Sequence, residues 1–380
     1  MHILYVAFKD FAKLHFGASK KVINECRAFE QAGHTVTLIG RSGDQVVTIT
    51  TDGQRTPIAP IRRAAVGKLQ PLTDKNVQMA TVAQYVADKA YDFCYIRYDL
   101  CTGKFLAMLK AIRRVCPKIF IEIPTYPYDQ EYRGRLNKLR LWYDHRTAAK
   151  LGRYVDKIVT FYAVPGDAFH GVPCLLVPNG FDFSEVDIIR QDEVPQVIDI
   201  AAVSSMRIWH GYERMIEGMH RYYDGGGRRD IRLHLVGDGR EGSKYRELTA
   251  RYGLDKQVIF HGAMHGQALD DLLENCTLGI DSLGRHRTGI SVLSSLKSRE
   301  YGAKGIPFIN SCEIDIVDDT FPYMLKVPAD ESPVDVQQVV DFYDRVYTDG
   351  SRIKVAKEVR QYIEARSDMH AVMQQVLAVL

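Results

Sequence analysis

The chain contains no Asp-x-Asp, so the common paired-carboxylate signature for a divalent metal is missing. It has no Cys-x-x-Cys, and its 7 cysteines are an odd number. That points away from a disulfide framework and toward reduced thiols in a cytoplasm. No apolar run approaches the roughly 20 residues that span a bilayer. The N-terminal "MHILYVAFKDFAK" holds one strand-length apolar run and no small-residue cleavage site, so it reads as a strand and not a signal peptide. Short-period repeats and low-complexity tracts are also absent.

What remains is a soluble globular composition, 46% hydrophobic and 26% charged. At 380 residues the chain is too long for one ordinary core and suits two domains. The net charge of +3 is unevenly placed. Residues 1–185 carry 26 Lys+Arg against 17 Asp+Glu, a net of +9, and residues 186–380 carry a net of −6. Such a split suggests two domains with different partners.

Strand and helix signals alternate along the chain. "HILYVAF" reads as a buried strand, followed by a loop at Gly17. "SKKVINECRAFEQAGH" reads as a helix, with Ser19 as N-cap and Gly33 as its stop. "TVTLIG", "DFCYIRY", "KIFIEIP", "DKIVTFY" and "CLLVPNG" continue as strands, with helices at Lys104–Arg114 and about Arg133–Tyr154. After the polar "SEVDIIRQDEVPQ" a second set begins with "VIDIAAVSS", "IRLHLVGDG", "QVIFHG", "TLGIDSL" and "IPFINS". Helices at Tyr212–Tyr223, Lys244–Tyr252 and Gln267–Asn275 separate them, and helical segments finish the chain after Pro333. Two α/β sets joined near 180–195 predict two doubly wound, Rossmann-like domains.

In the second half, glycines and cations repeatedly follow strands. These loops are "VSSMRIWHGYER", "VGDGRE", "FHGAMHG" and "LGRHRTG", and "SSLKSRE" opens a helix after the last. Glycines let backbone N–H groups approach an anion, and Arg and Lys match phosphate oxygens. Each loop alone is more often a turn or a solvated face. Four at one sheet edge point to a phosphate-bearing ligand. Lys297, Arg299 and Glu300 on the opening turns of that helix need a partner, either solvent or a ligand.

"VPNGFD", "WHGYERMIEG", "LHLVGDG", "FHG" and "SSLKSREYGAKGIPFI" occur in that order, and "EIPTYPYDQE" lies in the first half. On these motifs nearly the whole chain resembles bacterial GT-B glycosyltransferases of the retaining family 4, which build exopolysaccharide and capsule. The resemblance implies two Rossmann-like domains facing across a cleft. Residues 1–185 would bind the acceptor, residues 186–355 a UDP- or GDP-linked sugar, and a helical tail, 356–380, would pack back on the first domain. It implies that Glu300 contacts the ribose and that Arg207 and His210-Gly211 grip the diphosphate, with His210 replacing the family's lysine. Such a histidine would carry a pH-dependent charge. Lys297 joins Arg207 and His210 as a catalytic candidate, with Arg299 as a lesser one. Gly17, Gly211, Gly237, Gly239, His261, Gly262, Ser295 and Leu296 join Glu300 as donor-binding candidates. The first glutamate of the family's Glu-x7-Glu motif falls at Val292, which leaves the donor-sugar contact open. His15 and Arg97 are cleft candidates with a structural reading to match.

No cofactor is expected beyond the donor, and nucleic acid is not an expected partner. His261-x3-His265 straddles a strand end and a glycine, so it reads as loop histidines and not a zinc pair. Arg133–Lys157 carries 8 Lys+Arg and 2 Asp+Glu, with Leu136, Leu139, Trp142 and Tyr143 at helical spacing. Either that stripe packs on the core, or the helix rests on anionic lipid at the inner face of the plasma membrane. The acceptor would be a glycan or a lipid-diphosphate-linked glycan. Three alternatives stay open: a sugar-nucleotide epimerase, a non-catalytic nucleotide-sugar-binding relative, and a dinucleotide-dependent dehydrogenase. The last would want Gly-x-Gly-x-x-Gly with an acidic residue downstream, and neither half shows that full pattern cleanly.

Overall fold

The apolar runs become strands, several of them followed directly by a helix. The computed structural model describes residues 1–12, 17–61, 70–129, 132 and 134–380. Its first unit comprises Met1–Gly180 and Met369–Leu380, and its second Phe181–Asp368. The breaks read from sequence, at 185/186 and 355/356, therefore move to 180/181 and 368/369.

The first unit runs β1 (His2–Asp10), α1 (Gly17–Gln31), β2 (Thr35–Ser42), β3 (Gln45–Ile49), β4 (Arg55–Pro60) and α2 (Gln70–Tyr85). It continues with β5 (Phe93–Arg97), α3 (Gly103–Ile112), β6 (Ile119–Ile123), α4 (Arg135–Ala148), β7 (Lys157–Thr160), β8 (Ala168–Phe169) and β9 (Val172–Leu176). The sheet order is β4-β3-β2-β1-β5-β6-β7-β9-β8. β5 and β6 are buried at every position, as strands covered by helices on both faces must be. Gly17 opens α1, and Ser19 lies inside that helix, its hydroxyl donating to the Asp10 carbonyl at 3.3 Å, so Ser19 is not the N-cap. His15 lies outside the described residues.

Arg97 ends β5 inside a buried ionic network. Its guanidinium donates to Glu122, and Lys21 Nζ lies 2.8 Å from Glu25 and 3.6 Å from Glu122. Tyr95 donates to Glu122 at 3.0 Å, and Tyr5 donates to Glu25. Burial, and then the Glu122 charge, pushes Glu25 up to about 7. Burial opposes ionisation of Glu122 too, but Arg97 and Lys21 outweigh it and hold that carboxyl down at about 2. Arg97 thus has a structural role.

Of the two readings of α4, the one in which its apolar stripe packs on the core does not hold. Leu136, Leu139, Trp142 and Tyr143 are 80%, 61%, 58% and 43% exposed. The helix instead buries Asp144, which accepts from the Tyr98 and Tyr128 hydroxyls at 2.7 and 2.6 Å and from the Cys101 backbone. Three donors satisfy a carboxylate that burial alone would expel.

The second unit runs β10 (Ile198–Val203), α5 (Glu213–Asp224), β11 (Ile231–Val236), α6 (Gly242–Arg251), β12 (Val258–Gly262), α7 (Gln267–Asn275) and β13 (Leu278–Ile280). Then come β14 (Val292–Leu293), α8 (Leu296–Lys304), β15 (Phe308–Asn310), β16 (Glu313–Ile314), β17 (Met324–Lys326), α9 (Val336–Val346) and α10 (Arg352–Ser367). The parallel order β12-β11-β10-β13-β15-β17 puts the switch point between β10 and β13. There the connections turn to opposite sides and leave a crevice at the carboxyl ends. α10 spans the expected break at 355 and packs on α8, while α11 (Met369–Leu377) buries Met369, Val372, Met373 and Val376 in the first unit's core.

Candidate functional site

The crevice between β10 and β13 is built by α8 and two loops. Ser295 caps α8, accepting from the Lys297 N–H at 3.0 Å, and donates to Asp281 at 3.0 Å. Gly305 ends the helix at φ 84°. Tyr301, one turn from the start, reaches under the crevice. Its hydroxyl shares a proton between the Ala201 and Ile280 carbonyls at 3.1 and 3.3 Å and accepts from the Val203 N–H at 3.2 Å. It satisfies backbone groups where β10 and β13 part.

The loops after β10 and β13 are zipped together. Leu283 N–H donates to the His210 carbonyl at 2.8 Å, and Gly284 N–H to the Trp209 carbonyl at 3.1 Å. Gly211 sits at φ 63°, and a Cβ there would lie 2.8 Å from the Gly284 nitrogen, so only glycine fits. Gly237 and Gly239 follow β11. A Cβ on either would lie 2.0 or 1.9 Å from the Ser204 or Ser205 carbonyl oxygen. Close packing of two loops accounts for both glycines without a ligand. With Gly242 they have Gly-x-Gly-x-x-Gly spacing after a strand, but β12 ends in His261-Gly262 with no acid.

Lys297 is the central cation. Its ammonium donates to the Asp281 carbonyl and lies 3.2 Å from the Asp281 carboxylate, with the lysine side chain 15% exposed and the aspartate wholly buried. Burial holds Lys297 below the usual lysine range, while Asp281 pulls the other way. Asp281 Oδ2 is buried without a hydrogen-bond partner. Arg299 has a different fate. It is fully buried and pairs with both carboxylate oxygens of Asp315 at 2.6 and 2.7 Å, tying α8 to the chain after β16. The opening turns of α8 therefore find protein partners for both cations, and Arg299 faces neither solvent nor ligand. Glu300 is exposed, and its charge bears on Lys297.

His210 is buried, its ring stacked on Tyr212 with centroids 5.6 Å apart. The Arg207 N–H donates to its Nδ1 at 2.8 Å, which leaves the ring proton on Nε2. Burial, and then the charges of Lys297, Arg285 and Arg207, hold it well below the usual histidine range. The expected pH-dependent charge is thus corrected: His210 stays neutral and offers one N–H. Arg207 is exposed at the crevice mouth, and Arg285 lies over the Trp209 ring at 5.5 Å.

His261 turns elsewhere. Its Nε2 is 3.0 Å from His234 Nδ1, and His234 Nε2 is 2.8 Å from Asp199. Burial, then His234, lowers its pKa. Gly262, at φ 69°, accepts from the Gly237 N–H at 2.6 Å. Val292 is 46% exposed on β14 and supplies no carboxylate. The structure thus gathers Arg207, His210, Gly211, Ser295, Leu296 and Lys297 at one crevice, with Glu300 a turn further along α8. Sequence reading missed Asp281 and Tyr301, whose only signal was their place after a strand and inside a polar helix.

No protein-family model matches the chain, and no curated protein matches it in sequence. Solved structures do match. A glycosyltransferase from Rickettsia africae superposes with a TM-score of 0.66 at 13% identity, covering 100% of this chain and 97% of the other. The chain has the GT-B fold. Anabaena HepE in complex with UDP-glucose gives 0.62 at 16% identity, and the lipopolysaccharide outer core galactosyltransferase WaaB gives 0.64 at 13%, each over 100% of both chains. In this GT-B chain the crevice described above belongs to the second Rossmann-like unit. Among the described residues no helix is long and apolar enough to cross a membrane.

Proposed function

We propose that the chain is a retaining, metal-independent hexosyltransferase akin to family 4. It moves a sugar from a UDP- or GDP-linked donor to a glycan or lipid-diphosphate-linked acceptor in bacterial surface polysaccharide assembly. The carrying observation is the convergence of Arg207, Arg285, Lys297 and the neutral His210 N–H on the switch-point crevice, with Glu300 exposed one turn along α8. A diphosphate matches the cations, and a ribose diol matches the carboxylate. HepE, solved with UDP-glucose, favours uridine as the base.

In this reading Lys297 and Arg207 hold the diphosphate and His210 Nε2–H donates to it. Charge builds on the diphosphate as its bond to the sugar breaks, and these groups are already oriented to receive it. Asp281 keeps Lys297 in place. Metal independence follows in this proposal because protein cations meet the leaving group's charge. We place the enzyme in the cytoplasm, peripheral to the inner face of the plasma membrane. Exposed Lys138, Arg140 and Arg146 beside exposed Leu136, Leu139 and Trp142 on α4 support that.

Val292 favours a second reading, nucleotide-sugar binding without turnover, because no carboxylate stands where the family's sugar-contacting glutamate would. Incubation with UDP- and GDP-sugars and lipid-linked glycans separates the two. Acceptor-dependent release of nucleoside diphosphate supports transfer; tight donor binding with no release supports the binding relative.

A further inference from the structure

Half of the described large apolar side chains left exposed lie on α4 or opposite it on α2: Leu72, Leu136, Leu139, Trp142 and Tyr143. A lone exposed leucine means nothing, but a contiguous group marks a binding surface. Three of them, Leu72, Leu139 and Tyr143, line a cavity of about 670 Å³ between α2, the start of α3 and α4. Leu72, Met79, Ala107, Leu139 and Tyr143 give it a mainly apolar lining. That volume lies within the roughly 300–1,000 Å³ typical of sites for one small ligand.

The polar part of the lining is cationic. Lys75, Lys104 and Arg140 line the cavity, and the one carboxylate among its described lining residues, Asp99, is already paired with Lys75 at 2.6 Å. Lys104 and Arg140 are exposed. Exposed Lys138 and Arg146 lie further along α4. An apolar trough with a surplus of positive charge fits a molecule that is apolar along its length and anionic at one end.

We propose that this cavity seats a single-chain lipid phosphate. The chain lies against Leu72, Ala107, Leu139 and Tyr143, and the phosphate lies against Lys104 and Arg140. The exposed Leu136 and Trp142 then rest in the headgroup layer from which the lipid is taken. The inference rests on the proposed function in one respect only, that the acceptor is carried on a lipid. It adds where the carrier sits and that it has one chain.

The test uses the full chain and farnesyl monophosphate below its micelle concentration, titrated by calorimetry beside farnesol and inorganic phosphate. Saturable binding of farnesyl monophosphate, at least tenfold tighter than either comparison, is expected. Ala107 is exposed on α3, so Ala107→Phe fills the trough without touching the core. It should weaken binding at least tenfold, and so should Leu139→Gln. Lys104→Gln with Arg140→Gln should erase the preference for the phosphate over the alcohol. Thermal melting of each variant reports folding. Folded Ala107→Phe with wild-type affinity overturns the proposal, as does equal binding of farnesyl monophosphate and farnesol. Binding of anionic phospholipid vesicles with no farnesyl monophosphate binding also overturns it, leaving only a surface. UDP binding is measured separately. Farnesyl monophosphate binding without UDP binding defeats the transferase reading alone; the reverse defeats this inference alone.

Discussion

Lys297 and Asp281 allow the structural and ligand-binding roles of one lysine to be pulled apart. Lys297→Met leaves the Asp281 carboxylate wholly buried with its ion-pair partner gone. Breaking a buried pair from one side costs about 3–5 kcal/mol, because the stranded charge must be neutralised or solvated. Adding Asp281→Asn removes that charge and keeps an acceptor for Ser295. The double variant should recover most of the stability, so the two changes should be far from additive. Binding behaves differently. Both variants lack the ammonium, and a charged hydrogen bond to phosphate is worth about 1.5–3 kcal/mol. UDP affinity should therefore fall roughly 10- to 150-fold in the single and the double alike. Urea unfolding followed by Trp209, in a Trp142→Phe background, reads stability in the second unit, since the chain has 2 tryptophans. Calorimetry reads affinity. A stable double variant that binds UDP like the wild type would show that Lys297 serves only to neutralise Asp281.

Glu300→Ala should weaken UDP binding by about 1.5–3 kcal/mol while leaving thermal melting in place, because the side chain is exposed; unchanged calorimetry removes Glu300 from the ribose. Transfer should survive excess EDTA, and full loss restored by manganese or magnesium would end the metal-independent mechanism. Glu25 gives a pH test. Its folded pKa of about 7 stands above the 4.5 of an ordinary glutamate in the unfolded chain, so its contribution is present below about pH 4.5 and lost as pH rises to about 7. Glu25→Gln should flatten that window and raise stability at pH 8 by at most about 3 kcal/mol. Glu122, held at about 2, works in the opposite sense, with stability lost as pH falls from about 4.5 through 2, and that limb should persist in the variant.

Much of the fold could be read because the central strands are apolar on both faces, as in β5 and β6. α2 could not. It buries Asp74, Gln78 and Thr81, and Gln78 donates to the Ala7 carbonyl at 2.8 Å, so it has no clean apolar stripe. α4 left two readings open for the converse reason, since its stripe is exposed and its buried centre is Asp144. At the crevice, residue types pointed to the loops that line it, but pairings were hidden. Asp281 lies 16 positions before Lys297 and Asp315 lies 16 after Arg299. No local pattern tells which cation is left for a ligand. His210 looked like a titrating group until its burial and its Arg207 N–H were seen. His261 looked like a strand-end ligand until its ring was found against His234.

The central claim is that a nucleoside diphosphate binds where β10 and β13 part. Hydrogen exchange of the full chain, with and without UDP, tests it most directly. At 100 times its dissociation constant, a bound ligand adds roughly 2.7 kcal/mol to the stability of whatever must open for exchange. The account predicts slowed exchange in 204–211 and 295–301, with little change along α2 and α3. Saturable UDP binding that protects neither segment, or no binding of UDP or GDP at millimolar concentration, would contradict it.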